Sequence, residues 1–332
     1  MKAAVMVDRN IMEFQEMPTP SVKVNEVLIR VRAIGVCGTD LHFIRGIRKV
    51  DFPHISGHEA TGDVVRVGSS VKDLSEGDRV VIDPNIHCGH CSYCRHGNYN
   101  LCINKKVIGV SLPGCFAEYV KVPQENVLKV SPSVPIWKAA IIEPVSVALH
   151  VRHKASIDSG DRILVLGAGM IGLVLVQLLK MPGVHVTIAD KAEKKLRIAE
   201  TLGADRVVHI SKHDLETSLK PYGPFDTVID SAGVHETLEG SLRIAGRGGS
   251  IIWLGLPTTS INIEIFPFVY QELSIFSSLA YNPYEISDAL ALIEDNHVAL
   301  EPIVTHRLAF EDIQEAFDLM ETGEAIKVVI IV

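Results

Sequence analysis

The sequence predicts an α/β protein: a β-rich first part, then a doubly wound parallel sheet of six strands. Three observations carry that prediction. Over residues 1 to about 145, Val- and Ile-rich runs are closely punctuated by Gly and Pro. Near Asp158-Ser159-Gly160 the rhythm changes, and short apolar runs alternate with stretches of helical periodicity. The length of 332 residues suits about two domains.

In chain order, Glu26–Val36 and Gly62–Val71 read as strands with partial alternation, and Gly77-Asp78 turns the chain into the apolar run Val80–Ile82. This half reads as an all-β or barrel-like domain. Beyond Gly160 the expected strands are Ile163–Leu166, Val184–Ala189, Arg206–Val208, Thr227–Asp230, Ser250–Gly255 and Leu273–Ser277. Helices are expected between them at Met170–Leu179, Lys191–Thr201 and His235–Ile244, each with apolar residues three and four apart. Past Pro283 come a helix (Ile286–Glu294), a short strand near Ile303–Leu308, a helix (Glu311–Glu321) and a closing strand (Ile326–Ile331). A tail of this kind usually returns to complete the first domain.

Composition excludes whole classes of function. Hydrophobic residues at 47% and charged residues at 22% describe a globular chain, and a net charge of −8 argues against a nucleic-acid surface. Neither a targeting segment nor a membrane span is expected. The apolar stretch Ile163–Leu179 holds three glycines and Gln177, and falls short of the roughly 20 apolar residues needed to cross. A cytoplasmic, reducing location follows. Six cysteines are too few for a disulfide-knotted scaffold, and the clustering of four of them points to metal.

Gly167-Ala168-Gly169-Met170-Ile171-Gly172 is a GxGxxG that follows an apolar strand and opens a helix. Gly167 permits the tight turn, Gly169 lets backbone approach a pyrophosphate, and Gly172 lets helix and strand pack closely. The helix N-terminus, with Met170 and Ile171, offers unpaired N–H groups to phosphate. Asp190 ends the next run, where it can accept hydrogen bonds from both ribose hydroxyls and repel a 2′-phosphate, so NAD is favoured over NADP. Lys191 and Lys195 lie just beyond and either touch the ribose or simply start a solvated helix. Asp230, Ser231 and Gly255 end the fourth and fifth strands, where ligands bind in doubly wound sheets.

Cys88-x2-Cys91-x2-Cys94-x7-Cys102 offers four thiolates on a tight loop, the closed tetrahedral set of a structural zinc. A disulfide pair is the competing reading, disfavoured in a reducing compartment. His87, His90 and His96 read as solvated neighbours of a sphere that is already full. A second set is dispersed: Cys37, His58 and Glu59, with Glu143 before Pro144 as a further ligand. One thiolate, one imidazole and carboxylates suit a zinc that keeps an open position. Taken singly, a lone Cys is as readily a small buried hydrophobe, and an acid before Pro a turn or cap.

With these motifs together the sequence resembles the zinc-dependent medium-chain dehydrogenase/reductase family almost end to end. The matching pieces are Gly35-Val36-Cys37-Gly38-Thr39-Asp40, Gly57-His58-Glu59, the four-cysteine lobe, Glu143-Pro144, the glycine fingerprint and Asp190. The resemblance implies a GroES-like catalytic domain over 1–147 and 281–332, with a structural zinc lobe at 85–105, and a Rossmann NAD-binding domain over 148–280. It implies two zinc ions, one structural and one catalytic on Cys37 and His58, completed by Glu59 and Glu143 directly or through water. It also implies a proton path from Thr39 through the nicotinamide ribose to His42, and reversible oxidation of a secondary alcohol by NAD.

An acid at Glu143 is similar to the polyol and threonine dehydrogenase branch, as is Pro113-Gly114-Cys115-Phe116-Ala117-Glu118-Tyr119, in which Cys115 is read as packing. Threonine dehydrogenases carry a histidine where this chain has Asn85, and many polyol enzymes an arginine near 277–281, where it reads Ser277-Ser278-Leu279-Ala280-Tyr281. The expected activity is therefore a polyol or sugar-alcohol dehydrogenase, with a threonine- or butanediol-type enzyme as alternative. A non-catalytic zinc and nucleotide module is the alternative of another class. Arg45, Arg48 and Lys49 are a candidate phosphate-binding cluster or a solvated loop. A homo-oligomer is expected, a tetramer before a dimer, with the apolar segment Ile261–Val269 as an interface strand.

Overall fold

The computed structural model describes residues 1–210, 215–255, 257 and 260–332. In the first part, strands β1 (Lys2–Asp8), β2 (Ile11–Glu16) and β3 (Glu26–Gly35) lead into helix α1 (Gly38–Ile44). Strands β4 (Glu59–Val67), β5 (Arg79–Ile82) and β6 (Asn85–Ile86) follow, then α2 (Ser92–Arg95), β7 (Lys106–Val107), β8 (Tyr119–Pro123) and β9 (Val127–Lys129). Two helices close the segment, α3 (Ile136–Ala139) and α4 (Ile142–Lys154). The second part alternates β10 (Arg162–Leu166), α5 (Met170–Leu178), β11 (His185–Asp190), α6 (Glu193–Thr201), β12 (Arg206–His209), α7 (Leu215–Leu219) and β13 (Phe225–Asp230). It continues through α8 (His235–Ile244), β14 (Ala245–Trp253), α9 (Ile265–Tyr270) and β15 (Ser274–Ser277). The tail is α10 (Pro283–Glu294), β16 (Val304–Ala309), α11 (Ile313–Glu321) and β17 (Lys327–Ile331).

Two compact units result, Met1–Ser146 with Tyr281–Val332, and Val147–Ala280. In the first, alternation in EVLIRVRAIG buries Val27, Ile29, Val31 and Ile34 on β3, and a mainly antiparallel sheet of seven strands grows around that strand. One neighbour of β3 is β4. β8 pairs with the first half of β3, and β17, from the far end of the chain, with its second, placing Ile330 opposite Ile34 and Val329 opposite Gly35. Phe43, Phe116 and Phe317 fill the core beneath.

The second unit is the doubly wound sheet: six parallel strands in the order β12-β11-β10-β13-β14-β15. Its central strand β10, RILVL, is apolar at successive positions because helices cover both faces of a parallel sheet. Helix α5 buries six of its residues, as a helix apolar on nearly every side must. No helix among the described residues is long and apolar enough to cross a membrane.

Three expectations need correction. The first segment carries α1 and the thirteen-residue α4, neither of which its β-rich reading contained. Pro144 stands in the first turn of α4, where its missing N–H costs nothing, so a residue read as a turn signal in fact opens a helix. The strand expected from Gly62 starts at Glu59, and the one expected from Ser250 starts at Ala245, leaving Gly255 beyond its end. Of the segment read as an interface strand, Ile265–Tyr270 is helical and Ile261–Glu264 is not a strand.

Candidate active site and metal centres

The turn between β10 and α5 is built as its glycines require. Gly167 has φ of +99°, and a Cβ on Gly172 would stand 1.9 Å from the Gly167 carbonyl oxygen. Gly169, the N-cap of α5, differs: a Cβ there meets nothing within 4 Å. Open space at a helix N-terminus with free N–H groups fits a pyrophosphate. Met170 and Ile171 open α5, Met170 buried and Ile171 partly so. At the end of β11, Asp190 accepts Ala168 N–H on Oδ2 at 2.7 Å and Ala192 N–H on Oδ1 at 2.8 Å, which pins a carboxylate beside the turn. Lys195 is partly buried on α6, and Lys191 is exposed.

Ser231 Oγ donates to the carbonyls of Leu166 and Gly167 at 2.9 and 3.0 Å, tying the loop after β13 to the glycine turn. Asp230 is fully buried. Its Oδ1 accepts Ala232 N–H and Gly233 N–H, and its Oδ2 accepts Thr237 Oγ1, so the carboxylate is spent on shaping its own loop. A Cβ on Gly255 would stand 2.1 Å from Gly233 Cα. Both were expected among the cofactor-cleft residues, without a stated role; the contacts described here shape the loop after β13.

In the lobe, one sulfur from each of Cys88, Cys91, Cys94 and Cys102 lies within 4.8 Å of the others, and all four are free thiols. Gly89 and Gly97, at φ +75° and +78°, provide the turns that converge them. Backbone N–H groups, that of His90 first, hold the Cys88 thiol well below its ordinary pKa, while burial among its neighbours pushes Cys94 up. Four thiols brought within 4.8 Å of one another are the donor set of a closed structural zinc site. His87 packs on Tyr99, and His90 and His96 bond backbone carbonyls, all outside the sulfur set.

The dispersed set also converges. Donor atoms of Cys37, His58 and Glu59 lie within 4.8 Å of one another. Cys37 caps α1, its sulfur accepting Thr39 N–H at 3.5 Å, and Asp40 Oδ2 accepts Cys37 N–H at 2.9 Å. Asp40, fully buried, then binds Ser56 Oγ and Gly57 N–H through Oδ1 and lies 3.7 Å from His58 Nδ1. It thus joins the cysteine helix to the histidine strand. Asp40 was visible in the motif but had no assigned role.

One buried ring nitrogen here, His58 Nδ1, lacks a hydrogen-bond partner, while Glu59 Oε2 is met by the Lys327 ammonium at 2.5 Å. An unpaired imidazole nitrogen beside a thiol and a carboxylate fits a soft divalent ion such as zinc. Burial works against a charged His58, yet the charges of Cys37 and Asp40 outweigh it and raise its pKa well above the ordinary value. Glu143, in the first turn of α4, stands outside the 4.8 Å set but within its field. Burial raises its carboxyl to about 7; Glu59 and Asp83 add to that against His58 and Lys327.

Sequence reasoning missed two further features. Lys327 Nζ lies 2.6 Å from Glu59 Oε1, although the residues are 268 positions apart. Asp83 Oδ1 accepts Asn85 N–H and Tyr281 Oη, both at 3.0 Å, in a buried network. Asn85 was noted only for lacking the threonine-type histidine, and Tyr281 had no role; only the Asp83 acid in an apolar run could have flagged the network.

His42 is partly buried in the last turn of α1, and burial together with Arg48 lowers its pKa. Thr39 is partly exposed, three residues earlier on the same helix. Arg45 bonds Asn10 and pairs with Glu321, and Arg48 lies over Phe43, so two members of the proposed phosphate cluster are already engaged. Cys115 is fully buried, its thiol pushed up to about 12 by burial, consistent with packing.

Residues 23–132 match the alcohol dehydrogenase GroES-like domain family, and residues 171–295 match the zinc-binding dehydrogenase family. An L-threonine 3-dehydrogenase of Proteus mirabilis is 33% identical over 323 residues, covering 95% of this chain and 94% of its own. A zinc-binding dehydrogenase structure from Sinorhizobium meliloti 1021, bound to NADP, is 32% identical with a TM-score of 0.92 over 100% of this chain and 99% of its own. Galactitol-1-phosphate dehydrogenase from Escherichia coli is 30% identical with a TM-score of 0.91 and full coverage of both chains, 100% each.

Proposed function

The chain belongs to the zinc-dependent medium-chain alcohol dehydrogenase family, and on that premise we propose that it interconverts a secondary alcohol, a polyol or sugar alcohol, and its ketone with NAD. The observation that carries the reading is the convergence of Cys37, His58 and Glu59 within 4.8 Å. Zinc held there supplies Lewis acidity that lowers the pKa of a substrate hydroxyl, and NAD supplies the hydride acceptor. Cys37 and His58 bind the metal; Asp40 orients them. Glu143 and Glu59 complete the set or hold its water.

Thr39 Oγ1 takes the hydroxyl proton and passes it outward, since a hydroxyl both accepts and donates. His42, one helical turn away, exchanges that proton with solvent. Its lowered pKa keeps the imidazole neutral near pH 7, so it is ready to accept. Asp190 holds the adenosine ribose, Gly167, Gly169 and Gly172 admit the pyrophosphate beside Met170 and Ile171, and Lys195 flanks the ribose. The four lobe cysteines hold the second zinc.

The substrate is where the readings divide. Identity to a threonine dehydrogenase and the segment Pro113–Tyr119 favour an amino alcohol; against it, Asn85 is bound into the Asp83 network rather than replaced by histidine. NADH formation on sorbitol, butanediol, galactitol phosphate and threonine decides. We expect the polyols to turn over at the higher kcat/KM. Threonine leading the panel establishes the alternative, and a zinc- and NAD-saturated protein inert on every alcohol makes it a non-catalytic module.

We further assign the protein to the cytoplasm, as a homo-oligomer with a tetramer favoured. Support for self-association comes from α9 and β15: Phe266 is 77% exposed beside Val269 and Tyr270, and among the described residues β15 pairs with a strand on one edge alone.

A further inference from the structure

Apart from its four sulfurs, the cysteine lobe has little of its own to fold around. Its helix α2 has four residues, and its strands β6 and β7 have two each. Its buried cluster is Cys91, Cys94 and Cys102, with Cys88 and Tyr99 packed against it. Elements that short are unstable alone in water. The metal donors are thus also the core, and the lobe's conformation depends on the ion they take.

Two neighbouring side chains of the first unit, Tyr281 and Asn282, reach this lobe from the far end of the chain. Asn282, 5% exposed, accepts Asn100 N–H on Oδ1 at 3.3 Å, two residues before Cys102. Lys105 Nζ donates to the Asn100 carbonyl at 3.1 Å, which fixes that residue from its other side. The Asn282 side chain also caps α10, in a box closed by Glu285 Oε2 accepting Asn282 N–H at 2.7 Å. Tyr281, 1% exposed, donates from Oη to Asp83 Oδ1 at 3.0 Å. Burial first, then the charges of Asp83 and Glu143, hold its phenol well above the ordinary pKa, so it stays a donor. Asp83 Oδ1 in turn accepts Asn85 N–H at 3.0 Å, and Asn85 opens the lobe on β6. The pair therefore grips the lobe at its start, through Asp83, and near its end, through Asn100.

Asp83 also leads to the catalytic set. It follows β5, whose Val81 pairs with Thr61 on β4, two residues from Glu59 at the start of that strand. Carried two residues further, the antiparallel register sets Asp83 opposite Glu59, next to His58 in the chain. We propose that Tyr281 and Asn282 are positioning residues that couple the two metal centres. Metal in the lobe fixes Asn85 and Asn100, and the pair carries that order to Asp83 beside the catalytic set. Such coupling is reciprocal, so loosening the pair loosens metal at both centres. This rests on zinc at both sets, a reading tested separately by Cys37→Ser. C37S is expected to contain one zinc fewer than the unaltered protein; a full complement removes the site reading and this proposal with it.

The proposal itself is tested on the zinc-loaded full chain by release of zinc to excess chelator, followed with a metallochromic indicator. The phase lost in C37S belongs to the catalytic centre, and the phase that remains belongs to the lobe. Tyr281→Phe removes the bond to Asp83, while Asn282→Ser keeps a helix cap but is too short to reach Asn100. In each, both phases are expected to quicken about fivefold or more, the lower end of couplings between sites. Cys91→Ser, which empties the lobe, should quicken the catalytic phase by as much, and adding N282S to it should change that phase by less than about twofold. N282D keeps both cap and acceptor and should follow the unaltered protein. So should Ile293→Val, which thins the packing of α10 and leaves both hydrogen bonds in place. If Y281F or C91S does not fold, N282S against N282D and I293V carries the test. Quickening of the lobe phase alone would leave the centres uncoupled, and no change in either phase would reduce the pair to a cap and a core ring. Equal quickening in I293V, or additive effects of C91S and N282S, would show general loosening; each of these outcomes overturns the proposal.

Discussion

Asp190 shows how much one side chain carries. Both of its carboxylate oxygens are fixed by backbone N–H groups, Ala168 at 2.7 Å and Ala192 at 2.8 Å, so the negative charge stays beside the glycine turn. Hydrogen bonds to a charged group contribute about 1.5–3 kcal/mol each. Asp190→Asn should therefore raise KM for NAD by roughly tenfold or more and narrow the preference over NADP, measured as the ratio of kcat/KM values. Glu143 gives a pH prediction for the metal-free protein. Its carboxyl is raised from 4.5 to about 7, so between those values the folded chain keeps a proton that the unfolded chain has lost. Stability must then fall as pH rises through that window and level off above it. The difference in melting temperature between metal-free wild type and Glu143→Gln isolates this contribution. A difference that does not change between pH 4.5 and 7 would refute it.

At the scale of elements, the glycine turn makes a paired prediction because its two later glycines differ in surroundings. Gly172→Ala places a methyl 1.9 Å from a backbone oxygen that cannot retreat, and should destabilise the second unit by about 1–3 kcal/mol or more in denaturant unfolding. Gly169→Ala meets nothing within 4 Å, so stability should change by less than about 1 kcal/mol while KM for NAD rises. Equal loss of stability in both variants would mean that the open space is not there for a ligand. The same elements mark what could be read from the chain. Strands β10 to β13 and helices α5 and α8 were legible because apolar runs and 3.6-residue periodicity are local signals. Helix α4 was not. Its buried residues include Ser146 and His150 among the apolar ones, so its sequence lacks the contrast that periodicity detects, and Pro144 imitated a turn.

For the whole molecule, the exposed surface of α9 predicts self-association. Light scattering should give a mass that is a multiple of 36.3 kDa, and Phe266→Asp should lower it without changing the fold seen by circular dichroism. A monomeric wild type would remove the assembly reading. The sequence by itself determined the doubly wound sheet, its nucleotide turn and the four-cysteine lobe, because in each the cooperating residues lie within a few turns of chain. It also proposed Cys37, His58, Glu59 and Glu143 as one set, first from their donor chemistry and then from family resemblance, not from spacing. Only the tertiary structure decided who stands beside them: Asp40 joining cysteine to histidine, Tyr281 reaching Asp83 from 198 residues away, and Lys327 closing on Glu59 across 268. The physical reason is register. Lys327 and Glu59 meet because β17 and β4 pair with opposite edges of β3, and a pairing between distant strands leaves no periodicity in the sequence of either.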